Sequence, residues 1–193
     1  MFSQTSGTIK NLGVSGTVTQ TTEINLSSAG VLVGQLLEGG TISDCYTTGT
    51  LTSNSTYTVH CGGLVGYSKG EITNCYSSAD VKATSSSLIA YAGGLVGYLE
   101  GHVVQSAAYG DVSAKGSTDS YSRNGGFVGY ATDDAVMTNC YRSNLQVLTK
   151  YGVAKTSYND LGTVGTMREI LDFCKTNWDN TTWEFVAVYP QFK

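Results

Sequence analysis

The chain has 193 residues, enough for one substantial core, and nothing in that length calls for a second one. Charged residues make up 13%, where an ordinary soluble domain carries roughly 25%, and 24 glycines stand against one proline. A net charge of −4 with scattered Lys and Arg excludes a basic face for nucleic acid, and no apolar run approaches the ~20 residues of a membrane-spanning helix.

Met1 opens onto Phe2-Ser3-Gln4 without the apolar segment of a secretion signal. The first recognisable pattern, Ile9-Lys10-Asn11-Leu12-Gly13, is the second half of a unit that recurs whole further on, so the chain reads as a segment or processed form of something longer. The whole unit begins with Gly30-Val31-Leu32-Val33-Gly34 and returns as Gly62-Gly63-Leu64-Val65-Gly66, Gly93-Gly94-Leu95-Val96-Gly97 and Gly125-Gly126-Phe127-Val128-Gly129. The last glycines of these strings lie 32, 31 and 32 residues apart. Each string is followed by a second: Ile42-Ser43-Asp44-Cys45-Tyr46, Ile72-Thr73-Asn74-Cys75-Tyr76, Val103-Val104-Gln105-Ser106-Ala107 and Met137-Thr138-Asn139-Cys140-Tyr141. A fixed period of this length is the signature of a solenoid, in which one unit cannot bury its apolar face until its neighbour stacks on it.

Each period offers three short strands, in the third unit Gly63 to Tyr67, Ile72 to Tyr76 and Ala79 to Lys82, and no helical periodicity precedes residue 166. The expected fold is all-β: a right-handed parallel β-helix of about five coils, three short strands per coil, over residues 1–160. Residues 161–193 are expected to form a small C-terminal cap. There Thr166-Met167-Arg168-Glu169 reads as a capping box, with Met167, Ile170, Leu171 and Cys174 at helical spacing, and Thr182 to Val188 reads as a strand or hairpin. Trp178 and Trp183 are expected to plug the open end of the stack.

Stacking turns sequence slots into columns. Asn11, Asp44, Asn74, Gln105 and Asn139 share one slot and read as a hydrogen-bonded side-chain ladder. Leu12, Cys45, Cys75, Ser106 and Cys140 share the next, and Cys61 matches Ala29 and Ala92, so the cysteines read as small buried groups with free thiols. Tyr67, Tyr98 and Tyr130 form one aromatic column, and Tyr46, Tyr76 and Tyr141 most of another; packing explains both, while an exposed row could also stack on sugars.

These strings resemble the Glug-motif repeat, a bacterial repeat running roughly G-G-L-V-G, then G-x-I-x-N-C-Y, then G-x-V. The resemblance spans about residues 8–150. The unit around Ser106-Ala107 departs from it, as does the one ending Ser143-Asn144-Leu145 without a final glycine. It implies a non-catalytic segment of a bacterial surface or secreted protein, such as the repeats found in some immunoglobulin A-specific metallopeptidases, and supplies no catalytic residue.

For function, the resemblance implies a non-enzymatic adhesin module, stalk or spacer, part of a larger surface protein, and the residues themselves suggest no cofactor and no metal. A glycan or a host extracellular protein is the partner expected. The alternative is a carbohydrate-active β-helix lyase or hydrolase, for which Asp80 and Asp111, in one slot of adjacent coils, are the carboxylates to test; the same pair could hold a cation. The segments Ser53 to Cys61, Ala83 to Ala92 and Ala114 to Asn124 vary most and are expected to stack into one exposed loop edge carrying the ligand-binding candidates Tyr57, His60, Tyr91, Tyr121 and Arg123.

Overall fold

A computed structural model describes residues 1–155, 162–186 and 188–193. The repeat becomes a parallel β-solenoid of about five coils, each strand pairing in register with its copies in the coils before and after. The first sheet contains Phe2–Thr5, Val33–Leu36, Val65–Ser68, Val96–Leu99 and Val128–Ala131; the second contains Thr8–Lys10, Thr41–Ser43, Glu71–Thr73, His102–Val104 and Val136–Thr138. The third begins with the long strands Gly13–Thr22 and Tyr46–Ser55, then continues as split pairs such as Tyr76–Ser77 and Asp80–Ser85. Phe2–Thr5 thus supplies the first-sheet strand of the opening coil although the glycine string is missing there.

A fourth sheet corrects the expectation of three strands per coil. Leu26–Gly30, Thr58–Gly62, Ala90–Gly93 and Ser122–Gly125 form it, so the variable segments are largely strand and not a loop edge. Their inward residues are small: Val59, Cys61, Ala90 and Ala92 pack with Leu51, Val81, Ala83, Val112 and Ala114 of the third sheet. A second body of core lies between the first and second sheets, where Leu32, Leu64, Leu95 and Phe127 stack in one column and Ile42, Ile72 and Val103 in another.

The core is divided because the chain doubles back sharply between the fourth and first sheets, and the glycine strings make that corner. A Cβ on Gly62, Gly93 or Gly125 would run into the carbonyl oxygen of Val65, Val96 or Val128. A Cβ on Gly66, Gly97 or Gly129 would press on the backbone of Ala29, Cys61 or Ala92, one coil away in the fourth sheet. The two strands can approach so closely because the glycine in each contact has no side chain to stand between the backbones.

The polar slot between the second and third sheets has a backbone cause. Asn11, Asp44, Asn74, Gln105 and Asn139 all have φ between 49° and 54°, the left-handed conformation in which Asn and Asp are enriched. The expected ladder is partial: Asn74 Nδ2 donates to Asp44 Oδ1 at 3.3 Å, while Asn74 Oδ1 is buried without a partner. In the next slot Cys45, Cys75 and Cys140 are buried free thiols, as are Cys61 and Cys174.

The C-terminal helix Met167–Asn177 starts at the expected capping box, with the Thr166 side chain accepting from Glu169 N and the Glu169 carboxylate accepting from Thr166 N. The expectation that the two tryptophans plug the end of the stack is corrected. From the fifth coil the chain runs back down the flank, over the outer face of the third sheet. Phe173 meets Tyr141 at 4.6 Å, Trp178 Nε1 donates to the Gln105 carbonyl at 2.9 Å, and Tyr76 Oη donates to the Pro190 carbonyl at 2.8 Å. Trp183, fully buried, reaches the second coil, where its Nε1 donates to Asp44 Oδ1 at 3.4 Å. The flank needs this cover because Tyr46 and Tyr76, stacked at 5.2 Å, would otherwise face water. Trp183–Glu184 closes on Gln191–Phe192 as an antiparallel pair, and Thr163–Gly165 extends the third sheet beside Tyr141–Ser143. The expected boundary at residue 160 lies outside the described residues.

Candidate functional site

Because the fourth and first sheets meet in a sharp re-entrant corner, their outward side chains face each other across it. Outward residues of the fourth sheet are Ser28, His60, Tyr91 and Arg123, in register on adjacent strands. Those of the first sheet are Gln35, Tyr67, Tyr98 and Tyr130, likewise in register. The two columns interlock. The His60 ring lies 4.7 Å from Tyr98, 5.0 Å from Tyr91 and 5.7 Å from Tyr67. Tyr91 lies 5.3 Å from Tyr98 and 5.7 Å from Tyr130. The tyrosines of the first sheet follow one another at 5.7 and 5.1 Å, one ring per coil.

His60 is the floor of this strip, only 5% exposed, and its Nδ1 is buried with no hydrogen-bond partner. Burial pulls its imidazole down to about 4, partly opposed by the Glu100 carboxylate. Tyr67, Tyr91 and Tyr98 are half-buried and Tyr130 is 37% exposed, so part of each ring in the row remains open to solvent. Beside the row Tyr67 Oη donates to Glu100 Oε1 at 2.8 Å, and Lys69 pairs with Glu100 at 3.2 Å. Burial and the Glu100 contact raise the Tyr67 phenol. Arg123 is exposed and has no ion pair among the described residues.

The candidates named from the sequence thus divide. His60, Tyr91 and Arg123 stand in one column of the corner; Tyr57 and Tyr121 lie at the other end of the fourth-sheet strands, on the turns from the third sheet, 36% and 43% exposed. The Tyr67, Tyr98 and Tyr130 column joins the first three. The sequence carries a signal for that union, a constant offset of seven residues across each glycine string: His60 to Tyr67, Tyr91 to Tyr98, Arg123 to Tyr130.

The paired carboxylates have a backbone task. Asp80 Oδ1 accepts from Asp111 N at 2.9 Å, and Asp111 Oδ1 accepts from Val147 N at 2.8 Å, each holding the start of the next coil's strand. The residue in register with Asp111 is therefore Val147, since the fifth coil carries two extra residues around Asn144 and Leu145. Both aspartates line a shallow hollow of about 290 Å³ with Thr50, Lys82 and Thr149. No cluster of three or more potential metal ligands occurs among the described residues.

Comparison with known proteins agrees with this geometry. The model of the GLUG motif matches residues 58–82, which run from the fourth-sheet strand through the glycine corner to the third sheet. A search of curated proteins finds no match. Among solved structures, the chain is similar to that of a "putative immunoglobulin A1 protease" from Bacteroides ovatus, with a TM-score of 0.64 and 20% identity, over 97% of this chain and 75% of that one. At that identity the likeness speaks for the fold. The chain thus carries a match to the GLUG motif at residues 58–82, and that segment folds within one coil of a parallel β-solenoid.

Proposed function

We propose that the chain is a non-catalytic module of a bacterial cell-surface or secreted protein, a rigid stalk or adhesin segment that engages a host extracellular protein or glycan through the corner of its first and fourth sheets. The observation that carries this reading is the row of half-exposed tyrosines along the stack, with Tyr67 and Tyr98 on strands paired on both sides and Tyr130 on the edge strand beside them. Rigid aromatic side chains supply much contact area at little entropic cost, which suits a recognition surface. The GLUG motif match and the likeness to the "putative immunoglobulin A1 protease" both support an extracellular setting. A glycan-cleaving reading asks for two free carboxylates about a groove; Asp80 and Asp111 each accept a backbone N–H, and Glu100 is held by Tyr67 and Lys69.

The test is to incubate the purified chain with a glycan array and with host extracellular glycoproteins, and to measure both retention and the mass of each partner. Retention with every mass unchanged is expected. Cleavage of any partner would contradict the reading.

A further inference from the structure

Resting on that reading, the geometry points to one ligand class: we infer that the corner binds an extended acidic oligosaccharide lying along the stack, one sugar per coil on Tyr67, Tyr98 and Tyr130, with Arg123 receiving a carboxylate or sulfate. The steps of 5.7 and 5.1 Å are fixed by coil stacking and close to the length of one pyranose unit. A pyranose presents an apolar C–H face to an aromatic ring and turns its hydroxyls aside, so a ladder of rings in step with the chain selects a sugar polymer. A polyproline helix repeats every three residues at ~3.1 Å each, roughly 9 Å per turn, and falls out of step with such a row. Stacked bases would fit the spacing, but single-stranded nucleic acid brings a phosphate at every step and calls for a basic groove along its backbone, whereas Arg123 is the one unpaired cation of this strip among the described residues.

The ends of the strip set length and charge. Towards the N-terminal coil the ring row ends at Gln35, whose Nε2 donates to Ser28 Oγ at 3.5 Å, a polar stop in place of a fourth ring. At the other end Arg123 precedes Tyr130 by the same seven residues that separate His60 from Tyr67, and no carboxylate neutralises it among the described residues. Lys69 is already paired with Glu100, so Arg123 is the charge left to a ligand. Under the rings the buried Nδ1 of His60 is a polar atom still without a partner, which a sugar hydroxyl entering between Tyr91 and Tyr98 would satisfy. Three stacked sugars with one acidic group near the Tyr130 end is the footprint.

Calorimetric titration of the full chain tests this, with hexasaccharides of hyaluronan, heparan sulfate and polygalacturonate, the carboxyl-reduced form of each uronate oligomer, and a proline-rich decapeptide as probes. At least one acidic hexasaccharide should bind, and its disaccharide should bind at least tenfold more weakly. Tyr98→Ala should weaken binding at least tenfold and Tyr98→Phe should restore it, which separates stacking from a folding defect. Arg123→Gln should remove the preference for the acidic over the reduced form, while Lys82→Ala on the third sheet leaves affinity unchanged. Failure of every acidic oligomer, or binding of the peptide alone at the strip, overturns the inference. If in that case the glycoprotein screen still retains a partner, the wider adhesin reading stands without it.

Discussion

Acidification should weaken this fold through one side chain. His60 is enclosed by Tyr67, Tyr91 and Tyr98, with Glu100 the nearest opposing charge, and burial lowers its imidazole from 6.5 to about 4. In the unfolded chain the ring takes up a proton as pH falls through 6.5; in the folded chain it stays neutral until about 4. Between those values the unfolded state binds more protons, so stability falls as pH falls. One pKa step is worth about 1.4 kcal/mol, so the gap amounts to on the order of 3 kcal/mol, present in full above pH 6.5 and gone near pH 4. Carboxylates titrate in the same range, so the measurement is a difference: urea midpoints from pH 7 to pH 4 for the wild type and for His60→Phe, which keeps an aromatic ring and removes the titration. The variant should lose less stability than the wild type by about that amount, on the order of 3 kcal/mol. Parallel curves for the two proteins would refute the reasoning.

Trp183→Ala empties a fully buried indole site, at a cost of about 3–5 kcal/mol, but the loss falls on the docking of the C-terminal segment. Limited proteolysis should then remove the chain beyond residue 162 while the solenoid keeps its melting transition; loss of both together would contradict a flank position for that segment. At the left-handed corner, Asn74→Val should destabilise by about 1–3 kcal/mol and Asn74→Gly should stay within about 1 kcal/mol, as denaturant midpoints would record. Equal losses for the two would return the slot to a ladder role. The five thiols should all be free yet silent to a thiol reagent in the native protein, since all five are buried, and burial also pushes Cys61, Cys140 and Cys174 up to about 12. Full titration should follow unfolding without reductant.

What the sequence discloses about this molecule is its period and its columns. Strings 31 or 32 residues apart put Ile42, Ile72 and Val103, or Tyr67, Tyr98 and Tyr130, at matched positions, and the sheets pair them in those registers. The fourth sheet escapes a pattern reading because its inward slot holds Ala29, Cys61, Ala92 and Asn124 and its outward slot Ser28, His60, Tyr91 and Arg123. Strands so short and so mixed carry little alternation, and the Ser/Thr-rich approach to them looks like loop. The left-handed slot reads as a ladder because backbone conformation and side-chain bonding favour the same residues, Asn and Asp. Where the cap lies is a question of which apolar surface remains uncovered, and that is answered only when Tyr46 and Tyr76 are seen side by side on the flank. The corner strip is half legible: its tyrosine column shows in the repeat, but its union with His60, Tyr91 and Arg123 depends on how tightly the glycines fold the chain.

Whether the corner is the recognition face can be read directly from tyrosine ring signals. With ring-labelled tyrosine and the partner retained in the binding screen, NMR should show shifts for Tyr67, Tyr91, Tyr98 and Tyr130, and none for Tyr46, Tyr76 and Tyr109 beneath the C-terminal segment. Shifts confined to Tyr57 and Tyr121, with the corner rings unmoved, would place recognition on the far turns and contradict the account.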